Sequence, residues 1–245
     1  IMTDSHSGIL QSEADELGIG VLPMPFYIDE KLYREGVDIS REEFYDLLRK
    51  GVDVSTSQPS PEEVMKMWDA MLEQYEELVY IPISSGLSGS CMTAQAMAQD
   101  EPYAGKVFVV DNGRVSTPMH RSVLDAVELA GKGYSAEKIK KILEDNRENM
   151  VIYVGLSTVS YLKKGGRISS VAAVAADVLN IKPVMKFGVG KLDVYQKCRG
   201  IKNARKAMID AIKNEFATTF KDAYEAGKVY LMAASSSTAE VTGEW

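Results

Sequence analysis

Through the first half of the chain, short apolar runs alternate with amphipathic helical patterns, and few folds accept that order. "GVLPMPFYI" (20–28), "ELVYIPIS" (77–84) and "KVFVVDN" (106–112) read as strands. "SREEFYDLLRKG" (40–51) and "SPEEVMKMWDAMLEQY" (60–75) lie between them and carry a helical period. "SGSCMTAQAMAQ" (88–99) and "TPMHRSVLDAVELAGKG" (117–133) continue the alternation. The first two helical patterns open with a serine and a glutamate three residues on, Ser40 with Glu43 and Ser60 with Glu63. That spacing is a capping box. Pro61 falls at the first helical position, where its missing N–H costs nothing. Buried strands alternating with helices predict an α/β unit, a mostly parallel sheet with helices on both faces.

After Gly133 the texture changes. "SAEKIKKILEDNREN" (135–149) is a charged helix and "MVIYVGLS" (150–157) a strand, followed by the helical "TVSYLKKGG". "VAAVAADVLN" (171–180) is small and apolar. "KPVMKFGVGKLDVYQKCRG" (182–200) reads as a β-hairpin turning at "GVGK". "NARKAMIDAIKNEFATTF" (203–220) is a long amphipathic helix and "KVYLMAAS" (228–235) another strand. The expected organisation is therefore two domains, an α/β unit over 1–150 and an α+β unit over 151–245.

The 245 residues suffice for both cores. A net charge of −7 without a basic tract removes the electrostatic footprint of a nucleic-acid binder. Cys91 and Cys198 have no metal-like spacing and cannot staple a chain this long, which fits a reduced, cytoplasmic setting. No signal peptide or spanning apolar run is visible, so integral membrane association is not expected and contact with a membrane surface would be transient. "IMTDS" reads as the end of a strand, and "TGEW" follows closely on a helix start. Both termini are thus expected to be incomplete.

No familiar catalytic set stands out. His6 and His120 are the only histidines, and neither has a partner at metal spacing. "GLSGS" (86–90) lacks the last glycine of a nucleophile elbow. Neither a P-loop nor a dinucleotide fingerprint occurs, and "GVGKL" sits in a hairpin rather than before a helix.

Two hydroxyl-rich segments precede helices. "IPISSGLSGS" (81–90) leaves a strand and opens a helix, where residues face the ligand crevice of an open sheet. Helix-start N–H groups, close backbone approach at Gly86 and Gly89, and the hydroxyls of Ser84, Ser85 and Ser88 would suit a phosphate or carboxylate. An ordinary serine-capped helix after a glycine turn explains the same residues. In "VSTSQPSPEEV" (54–64), Ser60 is the cap by position, which leaves Ser55, Thr56 and Ser57 upstream of any capping need. Pro59 biases Gln58 to an extended shape, so "STSQ" reads as a lip. Neither lip contains a cation, and neutral donors suit a carboxylate better than a polyphosphate.

Positive charge gathers in "YLKKGGRISS" (161–170) and "KCRGIKNARK" (197–206). These stretches serve either as an anion or partner patch, or as a helix C-terminus and a solvated helix face.

Taken together, "TSQPSP", "SSGLSGS" and "LKKGGRIS…IKPVMKF…RGIKNA" resemble the DegV family of bacterial fatty-acid-binding proteins over essentially the whole chain. "TDS" at 3–5 and the "VDN" ending at 112 resemble the family's D-S pairs. The resemblance implies that Thr56 and Ser88 bond a fatty acid carboxylate, with Ser57, Ser85 and Gly89 beside them. It implies an acyl chain in an apolar tunnel between two domains. It implies that Arg167 and Arg199 meet a kinase subunit, which binds ATP and phosphorylates the carboxylate. This chain would then be a carrier rather than an enzyme, without cofactor or metal. The alternative is a serine-dependent hydrolase or transferase using Ser88, and a third reading is a regulatory domain with an incidental pocket.

The chain departs from the family in two places. The histidine in a Gly-Pro-rich motif near the family's C-terminus has no counterpart here, which either a lost tail or a true departure explains, and "STPMHRSV" replaces a glycine-spaced helix start. Burial of an acyl chain is worth about 0.8 kcal/mol per methylene, so about fifteen methylenes give roughly 12 kcal/mol gross and leave the head group only to orient. Met24, Phe26 and the run at 171–179 are candidates for tunnel lining, though ordinary core explains each as well.

Overall fold

The computed structural model describes residues 1–167 and 180–236. In chain order the elements begin β1 (Met2–Asp4), α1 (Gln11–Leu17), β2 (Gly20–Leu22), β3 (Pro25–Ile28) and β4 (Lys31–Arg34). They continue with α2 (Arg41–Arg49), β5 (Val54–Thr56), α3 (Pro61–Leu72), β6 (Leu78–Ile81), α4 (Ser90–Met97) and β7 (Val107–Val109). Next come α5 (Ser116–Gly131), α6 (Ala136–Asp145), β8 (Ile152–Gly155) and α7 (Ser160–Lys164). Last are β9 (Ile181–Gly188), β10 (Lys191–Arg199), α8 (Ile201–Ala217) and α9 (Lys221–Glu225).

The expected parallel sheet is present. Its order is β2-β1-β6-β7, with every pairing parallel. Successive residues of a strand point to opposite faces, and β6 shows the result. Val79 and Ile81 join Val123 of α5 and Ile139 of α6 in one core. Leu78 and Tyr80 join Trp68 of α3, Cys91 and Ala94 of α4 in the other. Helices therefore cover both faces, and β6 and β7 are apolar throughout because both faces are buried. Both predicted capping boxes form, at Ser40–Glu43 and at Ser60–Glu63.

A second, antiparallel sheet of order β4-β3-β5 was not anticipated. The single strand expected over 20–28 is two strands in two different sheets. Pro23 separates them, and the chain leaves the parallel sheet after Leu22. β3 and β4 are joined by Asp29 and Glu30, both at positive φ (47° and 68°). That is the backbone of a type I′ hairpin turn without its usual glycine.

Strands β8, β9 and β10 pair antiparallel only with one another, in the order β10-β9-β8. The predicted hairpin turns at Val189 and Gly190. Ala204, Ala207 and Ala211 let α8 approach closely over Tyr153, Val184 and Cys198.

The strand expected at 228–235 does not form. A strand requires a neighbouring strand to bond along its length, and among the described residues no sheet includes this segment. Tyr230 and Leu231 are exposed. Except for Asn180, the apolar run at 171–180 lies outside the described residues, as does most of the helix start expected before "TGEW".

Candidate functional site

The site grows from the carboxyl ends of β1, β6 and β7, which open on one edge of the parallel sheet. Asp4 ends β1 and is fully buried. Its carboxylate accepts the Ile83 N–H at 2.8 Å and so anchors the start of the loop after β6. It also accepts the His6 backbone N–H at 2.9 Å and faces His6 Nδ1 at 3.0 Å. Burial pushes the His6 imidazole down, but the Asp4 bond and charge outweigh it, so its pKa lies above the ordinary value.

Beyond Ile83 the loop folds on itself. Ser84 Oγ accepts from Gly86 N at 3.2 Å, and the Ser84 carbonyl accepts from Leu87 N and Ser88 N. Ser85 turns to the end of β7. Its N–H and hydroxyl both donate to Asp111, at 3.3 and 2.6 Å. Glu144 in turn accepts the Asp111 N–H at 3.0 Å and pairs with Lys140. Ser88 Oγ accepts from Ser90 N at 3.2 Å, at the start of α4.

A hydroxyl has one hydrogen to give. Ser85 gives its own to Asp111, whereas Ser88 uses only its acceptor side on Ser90. Of the hydroxyls proposed for an anion, Ser88 therefore keeps its proton for a ligand and Ser85 serves to hold the loop.

The tip of the β9–β10 hairpin rests on this loop. A Cβ on Gly86 would fall inside the Gly190 backbone, 2.5 Å from its carbonyl carbon and closer to its Cα and oxygen. A Cβ on Gly113, which is at φ 66°, would meet Val189 Cγ1 at 2.7 Å. Between the loop, the tip and the end of α7 lies a cleft of about 500 Å³, lined by Ser85, Ser88, Gly89, Arg167, Gly190 and Leu192 among others. That is within the usual range for small-molecule pockets, about 300–1,000 Å³.

Ser85, Ser88, Gly89 and Arg167 are thus brought together. Thr56 and Ser57 are not among the residues lining this cleft. Thr56 ends β5, opposite the buried Phe26, and both Thr56 and Ser57 are exposed. Gln58, which follows Ser57, reaches α4, where its Oε1 accepts from Thr93 Oγ1 at 3.3 Å. The same atom is 3.2 Å from the place a Gly89 Cβ would take. The two lips are therefore neighbours.

Arg167 lines the cleft. Its Nε donates to the Leu87 carbonyl at 3.3 Å, and its Nη1 to Gly165 O. Arg199 is exposed at the far end of β10. The other cations are partly neutralised, Lys164 by Asp53 and Lys206 by Asp210. Met24 and Phe26 are buried, and Phe26 packs on Tyr33 and Phe44.

The residues that sequence reasoning missed are Asp111, Val189, Gly190 and Leu192. "VDN" on its own does not say that its aspartate holds Ser85, and nothing in "GVGK" says which loop it touches.

Nucleophilic chemistry finds little support here. His6 is held by Asp4 and His120 by Glu13 at 2.8 Å, and neither histidine bonds Ser88. Burial pushes the Cys91 thiol up to about 12. Among the described residues no group of three or more His, Cys, Asp or Glu could hold a metal, and no helix is long and apolar enough to cross a membrane.

Comparison with known proteins gives one answer. Residues 1–242 match the DegV family, described as uncharacterised. A DegV domain-containing protein from Caldanaerobacter subterraneus is 34% identical over 214 residues, which cover 87% of this chain and 76% of that one. A DegV family protein from Thermus thermophilus, solved in a study of its fatty acid binding, is 32% identical with a TM-score of 0.77, covering 87% of this chain and 76% of its own. DegV from Bacillus subtilis, described as a fatty acid binding protein, is 26% identical with a TM-score of 0.75, covering 88% and 77%. This chain, too, belongs to the DegV family.

Proposed function

We propose that the protein is a carrier that binds a long-chain fatty acid and presents its carboxylate to a separate kinase subunit for acyl-phosphate formation. The observation that carries this reading is the pairing of Ser88 and Arg167 in one cleft. Ser88 offers a neutral donor, and Arg167 supplies the cation that the lips themselves lack. A guanidinium suits a carboxylate, and later a phosphate, through its planar fork of donors. Thr56 and Ser57 complete the head-group site from the neighbouring lip, and Gly89 leaves room for the carboxylate at the start of α4. Ser85 contributes by fixing the loop. The description of the Thermus and Bacillus relatives as fatty acid binders supports the same ligand.

In this reading the acyl chain lies between the units at 1–150 and 151–245, and no further cofactor is needed. Arg199, exposed on β10, belongs to the surface that docks the kinase. The setting is the cytoplasm, where the kinase meets ATP.

Identification of bound lipid by native mass spectrometry and extraction tests the proposal. The expected result is a stoichiometric long-chain fatty acid. Protein that carries no acyl ligand, and takes up none when titrated with palmitate, overturns it.

A further inference from the structure

The β9–β10 hairpin tip makes an unusually close contact with the head-group loop. Gly86 meets the Gly190 backbone itself, so a side chain there has no rotamer that avoids the collision. Beside it, Val189 fills the space over Gly113. Seen from the hairpin, a Cβ on Gly190 would be 3.5 Å from Gly86 Cα and 3.6 Å from Ser84 Oγ. Among the described residues no hydrogen bond crosses this seam. Shape alone seats the tip: the seat exists because Gly86 has no Cβ, while glycine at 190 is favoured by its φ of 66° rather than by the contact.

The loop is held from two sides. Asp4 and Asp111 fix it from the parallel sheet through Ile83 and Ser85. Gly190 bears on it from the second unit. Ser88 sits two residues beyond Gly86, and Gly190 and Leu192 line the same cleft. Displacement of the tip would therefore widen the cleft at its polar end and release the loop that aims Ser88.

We propose that the Gly86–Gly190 contact, with Val189 on Gly113, positions the head-group loop and determines the preference for a carboxylate over an uncharged head group. Gly86, Val189 and Gly190 are positioning residues in this role. The inference rests on the fatty acid reading above and deepens it, because it assigns head-group selectivity to the second unit's hairpin.

Competition of palmitic acid and hexadecanol for the purified full chain, against a fluorescent fatty acid probe, tests it. The two ligands share one apolar tail, so a general loosening of the protein weakens both alike. Gly86→Ala is expected to cut the acid-over-alcohol preference by about tenfold, the worth of one head-group hydrogen bond. Val189→Ala removes the seat over Gly113 without a collision and is expected to cut the preference by a smaller factor. It keeps the test decisive if Gly86→Ala fails to fold. A preference unchanged in the folded variants overturns the positioning role while leaving the fatty acid reading intact. A wild-type protein that binds neither ligand overturns both.

Discussion

The Ser85 hydroxyl donates to the Asp111 carboxylate across 2.6 Å. Ser88, three residues on, accepts from Ser90 N and keeps its hydrogen. The two serines line the same cleft but should differ in what their loss does. A hydrogen bond to a charged group is worth about 1.5–3 kcal/mol. Ser88→Ala should therefore weaken fatty acid binding by roughly tenfold to a hundredfold, with little change in Tm. Ser85→Ala should act mainly on stability, lowering Tm by roughly 2–4 °C for each kcal/mol lost. Calorimetric titration with palmitate beside thermal melts separates the two, and equal affinity losses would contradict the assignment.

Thr56 makes a different case, because its side chain is exposed at the end of a short strand. Valine keeps its shape and its β preference and removes only the hydroxyl. Thr56→Val should weaken fatty acid binding by about tenfold while the thermal melt stays within a degree or so of the parent. Unchanged affinity would remove Thr56 from the head-group site.

Much of the architecture is legible in local sequence. Capping boxes at Ser40 and Ser60 act within one turn, so both helix starts could be placed to the residue. The hairpin at "GVGK" is also local. What could not be read depends on distant partners. Residues 20–28 are apolar on both sides of Pro23, and hydropathy does not say that Leu22 and Phe26 enter different sheets. Asp29–Glu30 forms a hairpin turn without glycine. The segment at 228–235 has a strand's composition but joins no sheet among the described residues. At the site, serine and glycine content marks both lips as unusual. The division of labour between Ser85 and Ser88 depends on Asp111, and the need for glycine at 86 depends on Gly190, more than a hundred positions away.

Acid should weaken the second unit through Glu215. This carboxylate is buried on α8, where it accepts from the Tyr153 hydroxyl at 2.7 Å and from Lys186 at 2.8 Å. Burial pushes its pKa up, but the bonds from Lys186, Thr219 and Tyr153 together outweigh burial and hold it below the ordinary value of 4.5. A group depressed in the folded state stabilises above its unfolded pKa, and the contribution fades as pH falls through the folded one. Urea midpoints should thus be flat near neutrality and fall below about pH 4.5. Glu215→Gln should lower stability at pH 7 by about 1–2 kcal/mol and flatten the acid limb. A variant with an unaltered acid limb would show that the loss arises elsewhere.

Asp4 is expected to tolerate no substitution. Its two oxygens divide the work, with Oδ1 facing both His6 donors and Oδ2 taking the Ile83 N–H. Alanine strands buried donors, at a cost of about 3 kcal/mol. Asparagine sets an amide N–H against one of them and should rescue little. The His6 pKa, raised in the parent, should fall in Asp4→Asn because burial then acts with only Glu35 opposing it. In the parent, this raised pKa makes the His6 contribution full below about pH 6.5 and lost as pH rises through the folded value. NMR titration of the His6 ring checks this, and a pKa that stays high in the variant would contradict it.

On the proposed function, Arg199 should separate lipid binding from partner docking. It is exposed at the end of β10, while the cleft lies at the hairpin's other end, with Gly190 and Leu192. Its backbone pairs with Ile181, so truncation of the side chain leaves the ladder intact. Arg199→Ala should therefore bind palmitate as the parent does and melt at the same temperature. Its complex with the proposed kinase subunit should weaken by about tenfold or more, because a charged group removed from an interface typically costs at least 1–2 kcal/mol. Sedimentation or surface-binding titrations of lipid-loaded protein with that kinase read the effect. Arg167→Ala is the control at the cleft itself and should impair head-group binding first. If Arg199→Ala docks unchanged, or if it loses palmitate as readily as Arg167→Ala, the division of β10 into a cleft end and a docking end is wrong.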